Sequence, residues 1–464
     1  MNISRMLVEH VHAITYDSLP DEARDRAKYF LLDHIGVTLR AVEAASSRVF
    51  HNYAQKRAPK GGPCTIIGSA LKTDAPHAAL VNGGVSHATE MDDVTTRSSL
   101  HPAVSVMPST LAVAEAHQPD PKQVIAAIVA GYEVTNRIGN AVNPTSHYER
   151  GFHPTGTCGT FASAITASKL LGLSVEATSH AMGIAGSQAA GSMQYLDNGA
   201  WTKRFHPGWA AHSGIIAAYL AQEGYSGPED ILGGKTGFLH GHSDDYTPEY
   251  VVEHFGEYWE ISESAIKPYA CCRYNHASID ATIEVCKTHD IQPEEIRRVK
   301  VRVPETSVMV VIEPYDMKTN PQNIVDAQFS LQYAVAVAIL RRAAGLDEYA
   351  DDFLRSQVYS SIIKKIECYG DAEMEKEFPD KWQAHVEIET ERGVFEAHQD
   401  YPKGDSRNPL TWDELIERFY VMTAPVLEKE TGDLLIERVR NLECLSSMSE
   451  VMELASKEQG VSVG

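Results

Sequence analysis

A histidine stands directly before a proline three times in this chain, in "SSLHPAVSV" (98–106), "ERGFHPTGTCGT" (149–160) and "KRFHPGWAAHSG" (203–214). Each pair opens a segment of small residues. Proline fixes its own φ and restrains the residue before it. Each pair is therefore expected to end a loop rigidly at a helix mouth, and three such ends can aim imidazoles into one cleft. Imidazole is the side chain best suited to moving protons near neutral pH.

Other polar groups surround these histidines in sequence. "SHATEMDDVTTRSSLHP" (86–102) places Glu90, Asp92 and Asp93 within four residues, with His87 before them and Arg97 and His101 after. The flanking segments read as buried helices, and buried carboxylates need partners. After His153 the chain runs Pro154, Thr155, Gly156, Thr157, Cys158, Gly159. The first amides of a helix lack internal partners and the dipole is positive there. Glycines would let a ligand reach that backbone, so Thr155, Gly156 and Thr157 are expected to seat an anion, with Tyr148 and Arg150 just upstream. Lys203, Arg204 and His206 form a basic cluster. "IKPYACCRYNHASID" (266–280) adds Lys267, Arg273 and His276, and "FSLQY" places Tyr333 in an apolar helix. Lysines, histidines, acids and a tyrosine without a cofactor signature suit proton abstraction beside a carboxylate, with cations polarising the acid groups.

The bulk properties narrow the classes. The chain has 464 residues and a formal net charge of −22. No basic stripe is present, so nucleic acid is not an expected partner. An anionic substrate would need a local cluster of cations against the global field. No apolar run is long enough for a membrane span, and the N-terminus lacks the core of a signal peptide, so a cytoplasmic protein is expected. The seven cysteines are odd in number and irregularly spaced, without CxxC. Neither a disulfide framework nor a cysteine metal site is expected, and no metal is assigned. "HGHSDD" (240–245) reads as a solvated loop.

The elements that must position these groups are mostly helices. From residue 1 to about 265 one helical pattern follows another, many rich in Ala, Gly and Ser on several faces, as in closely packed buried helices. The texture changes near 266. "IRRVKVRVPETSVMVVI" (296–312) alternates and reads as strands. "AHVEIETERGVFEAHQDYP" (384–402) reads as a hairpin turning at Glu391-Arg392-Gly393. A charged stretch from about 350 to 378 reads as helical, as does the chain after about 405. The expected fold is mainly α: a large all-helical domain (1–266 and 404–464) and a smaller α+β lid domain (267–403) with a short antiparallel sheet.

"GFHPTGTCGTF", "TKRFHPGWAAHSG", "IKPYACCRYNHASIDA" and "DAQFSLQYAVA" resemble, in order along nearly the whole chain, the MmgE/PrpD family. That family includes 2-methylcitrate dehydratase, cis-aconitate decarboxylase and an iminodisuccinate epimerase. The resemblance implies a helical domain with an α+β lid, a homodimer and no cofactor. It carries catalytic roles onto His101, His153, Lys203, Lys267 and Tyr333. In the decarboxylase the acidic motif begins Asp-Phe-Asp-Asp; here Glu90 stands in the first place and the gap to His101 is one residue longer. The resemblance thus implies a cofactor-independent lyase, a dehydratase or decarboxylase, acting on a small di- or tricarboxylic acid. Glu90 would join the catalytic set, and Asp93, Tyr148, Arg150, Thr155, Gly156, Thr157, Arg273 and His276 would bind substrate. On this reading Lys267, Arg273 and His276 close from the lid on carboxylates held by Lys203. Two alternatives stand beside it. One is an epimerase of a small dicarboxylate such as iminodisuccinate, with Tyr148 or Arg150 as second acid or clamp. The other is a carboxylate-binding protein without turnover.

Overall fold

A computed structural model describes residues 2–456. The chain folds as two compact units. The first comprises residues 1–88, 92–264 and 411–464; the second comprises 89–91 and 265–410. The architecture is mainly α, with strands concentrated in the second unit.

In the first unit, long helices follow one another: Asp21–Ala41, Ala75–Ser86, Ala103–His117, Pro121–Val142, Pro154–Leu170, Val175–Gly186 and Thr202–Gln222. Their starts are chemically marked. Asp74 accepts from the His77 amide at 3.0 Å, Asp120 accepts from the Lys122 amide at 2.9 Å, and prolines occupy the first turns after both caps, where a missing N–H costs nothing. Small residues set the packing distance. A Cβ on Gly208 would lie 2.2 Å from the Leu80 carbonyl oxygen, and one on Gly83 would lie 2.8 Å from the Gly208 Cα. The Ala75 and Thr202 helices therefore cross backbone to backbone. The helix Trp412–Thr423 returns to this unit. Phe419 covers Gly36, where a Cβ would sit 2.9 Å from the ring, and Arg418 Nε bonds Asp33 Oδ1 at 2.8 Å.

The second unit holds a four-stranded sheet in the order Ile366–Asp371, Ile296–Pro304, Ala384–Thr390, Gly393–Gln399. The hairpin turns through Glu391 and Arg392, with Thr390 opposite Gly393. Two expectations are corrected here. The strand at Ile296 ends at Pro304, and Val308–Ile312 is a π-helical turn. Inside the stretch read as helical, Ile366–Asp371 is an edge strand that pairs in parallel with Ile296–Pro304, so the sheet is mixed. Two of its three outward positions, Glu367 and Asp371, carry charge, which hides the alternation of a strand at the sheet edge. No helix of the described residues is long and apolar enough to cross a membrane.

Candidate active site

The first unit gathers four histidines. His101-Pro102 ends a loop at the helix Ala103–His117, and His153 is the residue before Pro154, the first of its helix. The third pair departs from expectation. His206-Pro207 lies inside the helix Thr202–Gln222, one turn after Lys203. Pro207 removes the N–H that would bond the Lys203 carbonyl. Lys203 and His206 then share one helix face, and both are buried.

The imidazoles form a chain. Asp92 Oδ2 accepts from His87 Nδ1 at 2.9 Å and lies 2.9 Å from His101 Nδ1. His101 Nδ1 also lies 2.7 Å from the Asp93 carbonyl oxygen. Acceptors on both sides place the proton of His101 on Nδ1 and leave Nε2 as its working end. The rings of His87 and His153 stack at 6.0 Å, and His153 Nδ1 meets His206 Nδ1 at 3.0 Å. One of those two nitrogens must donate, so the two rings hold opposite tautomers. Burial, then the neighbouring His206 and Lys203, hold the His153 pKa well below the usual imidazole value. Burial likewise lowers His206 to about 4. Both are neutral bases at physiological pH.

Asp93 is fully buried, and its two oxygens are engaged. Oδ1 accepts from the Ala103 amide at 2.9 Å and Oδ2 from the Tyr132 hydroxyl at 2.6 Å. Burial raises its pKa well above the usual carboxylate range. It caps the helix that follows His101 and suits positioning better than the substrate contact expected of it.

The glycine-rich helix start also has protein partners. The Gly156 and Thr157 amides bond the His153 carbonyl at 3.1 and 3.2 Å. Thr155 Oγ1 accepts from the His101 amide at 3.2 Å, and Thr157 Oγ1 meets His147 Nε2 at 2.9 Å. A Cβ on Gly156 would lie 2.6 Å from the Ala190 carbonyl oxygen and 3.0 Å from His206 Cβ. These small residues admit the neighbouring chain segments, and the Gly156 and Thr157 amides expected to seat an anion bond the His153 carbonyl. Upstream, the Tyr148 hydroxyl donates to the Ser99 carbonyl at 2.6 Å. Arg150 is partly exposed and pairs with Asp244 at 2.7 Å. A clamp role for either is not supported by these contacts.

In the second unit, Lys267 Nζ lies 3.3 Å from Glu90 Oε2, and both groups are buried. Glu90 has a φ of 58°, a left-handed backbone that a non-glycine residue adopts at a cost of about 1–2 kcal/mol. Arg273 pairs with Asp405 at 2.6 Å, while its Nε and second terminal nitrogen have no hydrogen-bond partner. His276 Nε2 meets the Cys271 carbonyl at 3.3 Å. Tyr333 is fully buried; its hydroxyl donates to the Glu348 carbonyl at 2.6 Å, and burial raises its pKa. It is built as a core tyrosine.

His87 and Asp92 stood among the candidate histidines and acids, and His206 was expected as a structural neighbour of Lys203, none with a catalytic role; no sequence signal marks Tyr132. Asp92 is one of three neighbouring acids, and only the course of the loop sends it to the histidines while Glu90 pairs with Lys267. His87 and Asp92 also raise the question of a metal. Asp92 Oδ2 lies 2.9 Å from His87 Nδ1 and 2.9 Å from His101 Nδ1, hydrogen-bond lengths below the roughly 3.4 Å between ligand atoms around a four-coordinate zinc ion.

The mainly helical unit brings four histidines, Asp92 and Lys203 together, a set of acid–base groups, and comparison with known proteins places the chain. The MmgE/PrpD N-terminal domain model matches residues 5–251 and the MmgE/PrpD C-terminal domain model matches residues 269–443. The chain belongs to the MmgE/PrpD family. It is 28% identical to the cis-aconitate decarboxylase-like protein oryM of Aspergillus oryzae, covering 98% of each chain. It is 26% identical to the cis-aconitate decarboxylase of Aspergillus terreus, over 94% of this chain and 92% of that one. It is also 26% identical to the human cis-aconitate decarboxylase, over 98% and 94%.

Proposed function

We propose that this protein is a lyase that removes water or carbon dioxide from a small di- or tricarboxylic acid without a bound cofactor, with cis-aconitate the first substrate to test. The carrying observation is the chain of His101, Asp92, His87, His153 and His206 ending beside Lys203. In a dehydration, neutral His153 takes the proton from the carbon next to a carboxylate, and His101, as an imidazolium held by Asp92, delivers its Nε2 proton to the departing hydroxyl, which leaves as water. In a decarboxylation, the carbon–carboxylate bond breaks, its electron pair stays on the carbon skeleton, and an imidazolium supplies the proton that replaces carbon dioxide. Lys203 binds a carboxylate and supplies the local positive charge that a chain of net charge −22 needs. A homodimer belongs to the same reading. The outward face of one helix carries Phe205, Trp209, Ile216 and Leu220 together with His212 and Tyr219, a largely apolar stripe that a second copy would cover.

The test is incubation in deuterated water with cis-aconitate, citrate, 2-methylcitrate and iminodisuccinate, followed by proton NMR. Loss of water or carbon dioxide is expected. Deuterium entering an α-carbon with no fragment lost would make the protein an epimerase and overturn the proposal.

A further inference from the structure

The outward face of the sheet in the second unit carries a cluster with no part in the chemistry above. In the hairpin register His385 stands opposite His398 and Glu387 opposite Glu396. Residues two apart share a sheet face, so two imidazoles and two carboxylates form adjacent cross-strand pairs. Like charges placed directly opposite destabilise a sheet, yet two glutamates face each other here. His385 Nε2 lies between them, 3.4 Å from Glu396 Oε2 and 3.6 Å from Glu387 Oε1. That nitrogen is shielded from solvent and makes no hydrogen bond. The His398 ring is 6.1 Å away.

These separations suit a metal better than a hydrogen bond. A tetrahedral ion with ligand bonds of about 2.0–2.2 Å holds its ligand atoms about 3.4 Å apart. Mixed imidazole and carboxylate donors suit zinc and its neighbours and are foreign to calcium or magnesium. We propose that His385, Glu387 and Glu396 bind one zinc-class divalent cation, with His398 as the fourth ligand. The ion would relieve the facing carboxylates and tie the two hairpin strands together. Lys300 and Arg302 lie 3.8 Å from Glu387 on the neighbouring strand. They balance part of its charge and set a limit on affinity, whereas Glu396 pairs only with His385 among the described residues.

The experiment is zinc titration of the chelator-stripped full chain by calorimetry, with cobalt(II) absorption as a reporter of tetrahedral geometry. Wild type is expected to bind a single equivalent at this site. H385A and E396Q should each weaken binding about tenfold or more, with unchanged circular dichroism. E396Q alters an exposed side chain and so keeps the test open if H385A folds poorly. H87Q, in the helical unit, should bind as wild type does. No binding by wild type, binding that survives both hairpin variants, or loss in H87Q alone would each overturn the proposal.

Discussion

Asp92 is the residue on which the acid–base reading turns. Its Oδ2 accepts from His87 and lies against His101, so it orders two imidazoles and stabilises either one when charged. An asparagine in its place would present an amide of the same shape without the charge and with a donor on one side. D92N is expected to lower kcat about 100-fold or more on the substrate found by the NMR panel, within the usual range for a positioned acid or base. KM should move little, because the loss falls on the transition state. K203A should instead raise KM strongly, as a lost carboxylate partner would. An unchanged kcat in D92N, or an unchanged KM and kcat in K203A, would remove that residue from the site. The sequence showed the histidines because His-Pro is a rare and rigid pair. It could not rank Glu90, Asp92 and Asp93, which have similar chemistry and differ only in where a left-handed turn at Glu90 sends each carboxylate. Tyr333 shows the opposite case: its motif is plain in sequence, and its hydroxyl is bonded to a backbone carbonyl in the core.

The helices that carry these residues are held by contacts made without side chains. At the crossing of Ala75–Ser86 with Thr202–Gln222, a Cβ on Gly208 would approach the Leu80 carbonyl oxygen to 2.2 Å and the Gly84 nitrogen to 2.9 Å. Alanine there gains about 1 kcal/mol of helix propensity. It loses more, because both clashing groups are backbone and overpacking costs about 1–3 kcal/mol or above. G208A is expected to lower the thermal midpoint and to reduce activity, since the displaced helix carries Lys203 and His206. G241A is the control: its helix is short, a Cβ there meets nothing within 4 Å, and stability should hold or rise slightly. A midpoint for G208A at or above wild type would show that the crossing can open. The helical elements were legible because their apolar spacing and caps are local. The crossing partner of each glycine is not local, so Gly156 read as an opening for a ligand when it is a seat for His206. The mid-helix place of His206-Pro207 was misread for a related reason, since proline in sequence marks helix starts far more often than interiors.

For the molecule as a whole, the buried histidines set the response to acid. Burial lowers His34 to about 3 and His147 and His206 to about 4, and holds His153 well below its usual value. In the unfolded chain each titrates near 6.5. Above pH 6.5 both states are neutral at these sites and the four groups do not alter stability. As pH falls from 6.5 towards 4, the unfolded chain takes up protons that the folded chain refuses, so stability falls by up to about 1.4 kcal/mol per pH unit for each group. Buried acids work in the other sense. Glu260, raised to about 8 by burial and by Glu133, and Asp93, raised by burial, bind protons in the folded state first and so favour folding as pH falls. Burial also raises Glu115 and Asp280 and lowers His12, His51, His117, His212 and His242, so nine histidines stand against four acids and leave a net loss on acidification. The thermal midpoint is therefore expected to drop steadily from pH 6.5 to 5 and to change less from 6.5 to 7.5. His34 isolates the cause, because its Nε2 is buried without a hydrogen-bond partner and it lies outside the proposed proton path. H34Q should remove up to one proton from the difference between the states, flattening the slope of unfolding free energy between pH 5 and 6.5 by up to about 1.4 kcal/mol per pH unit. Urea unfolding across that range measures it, and a slope equal to wild type would mean that His34 is already charged in the folded protein.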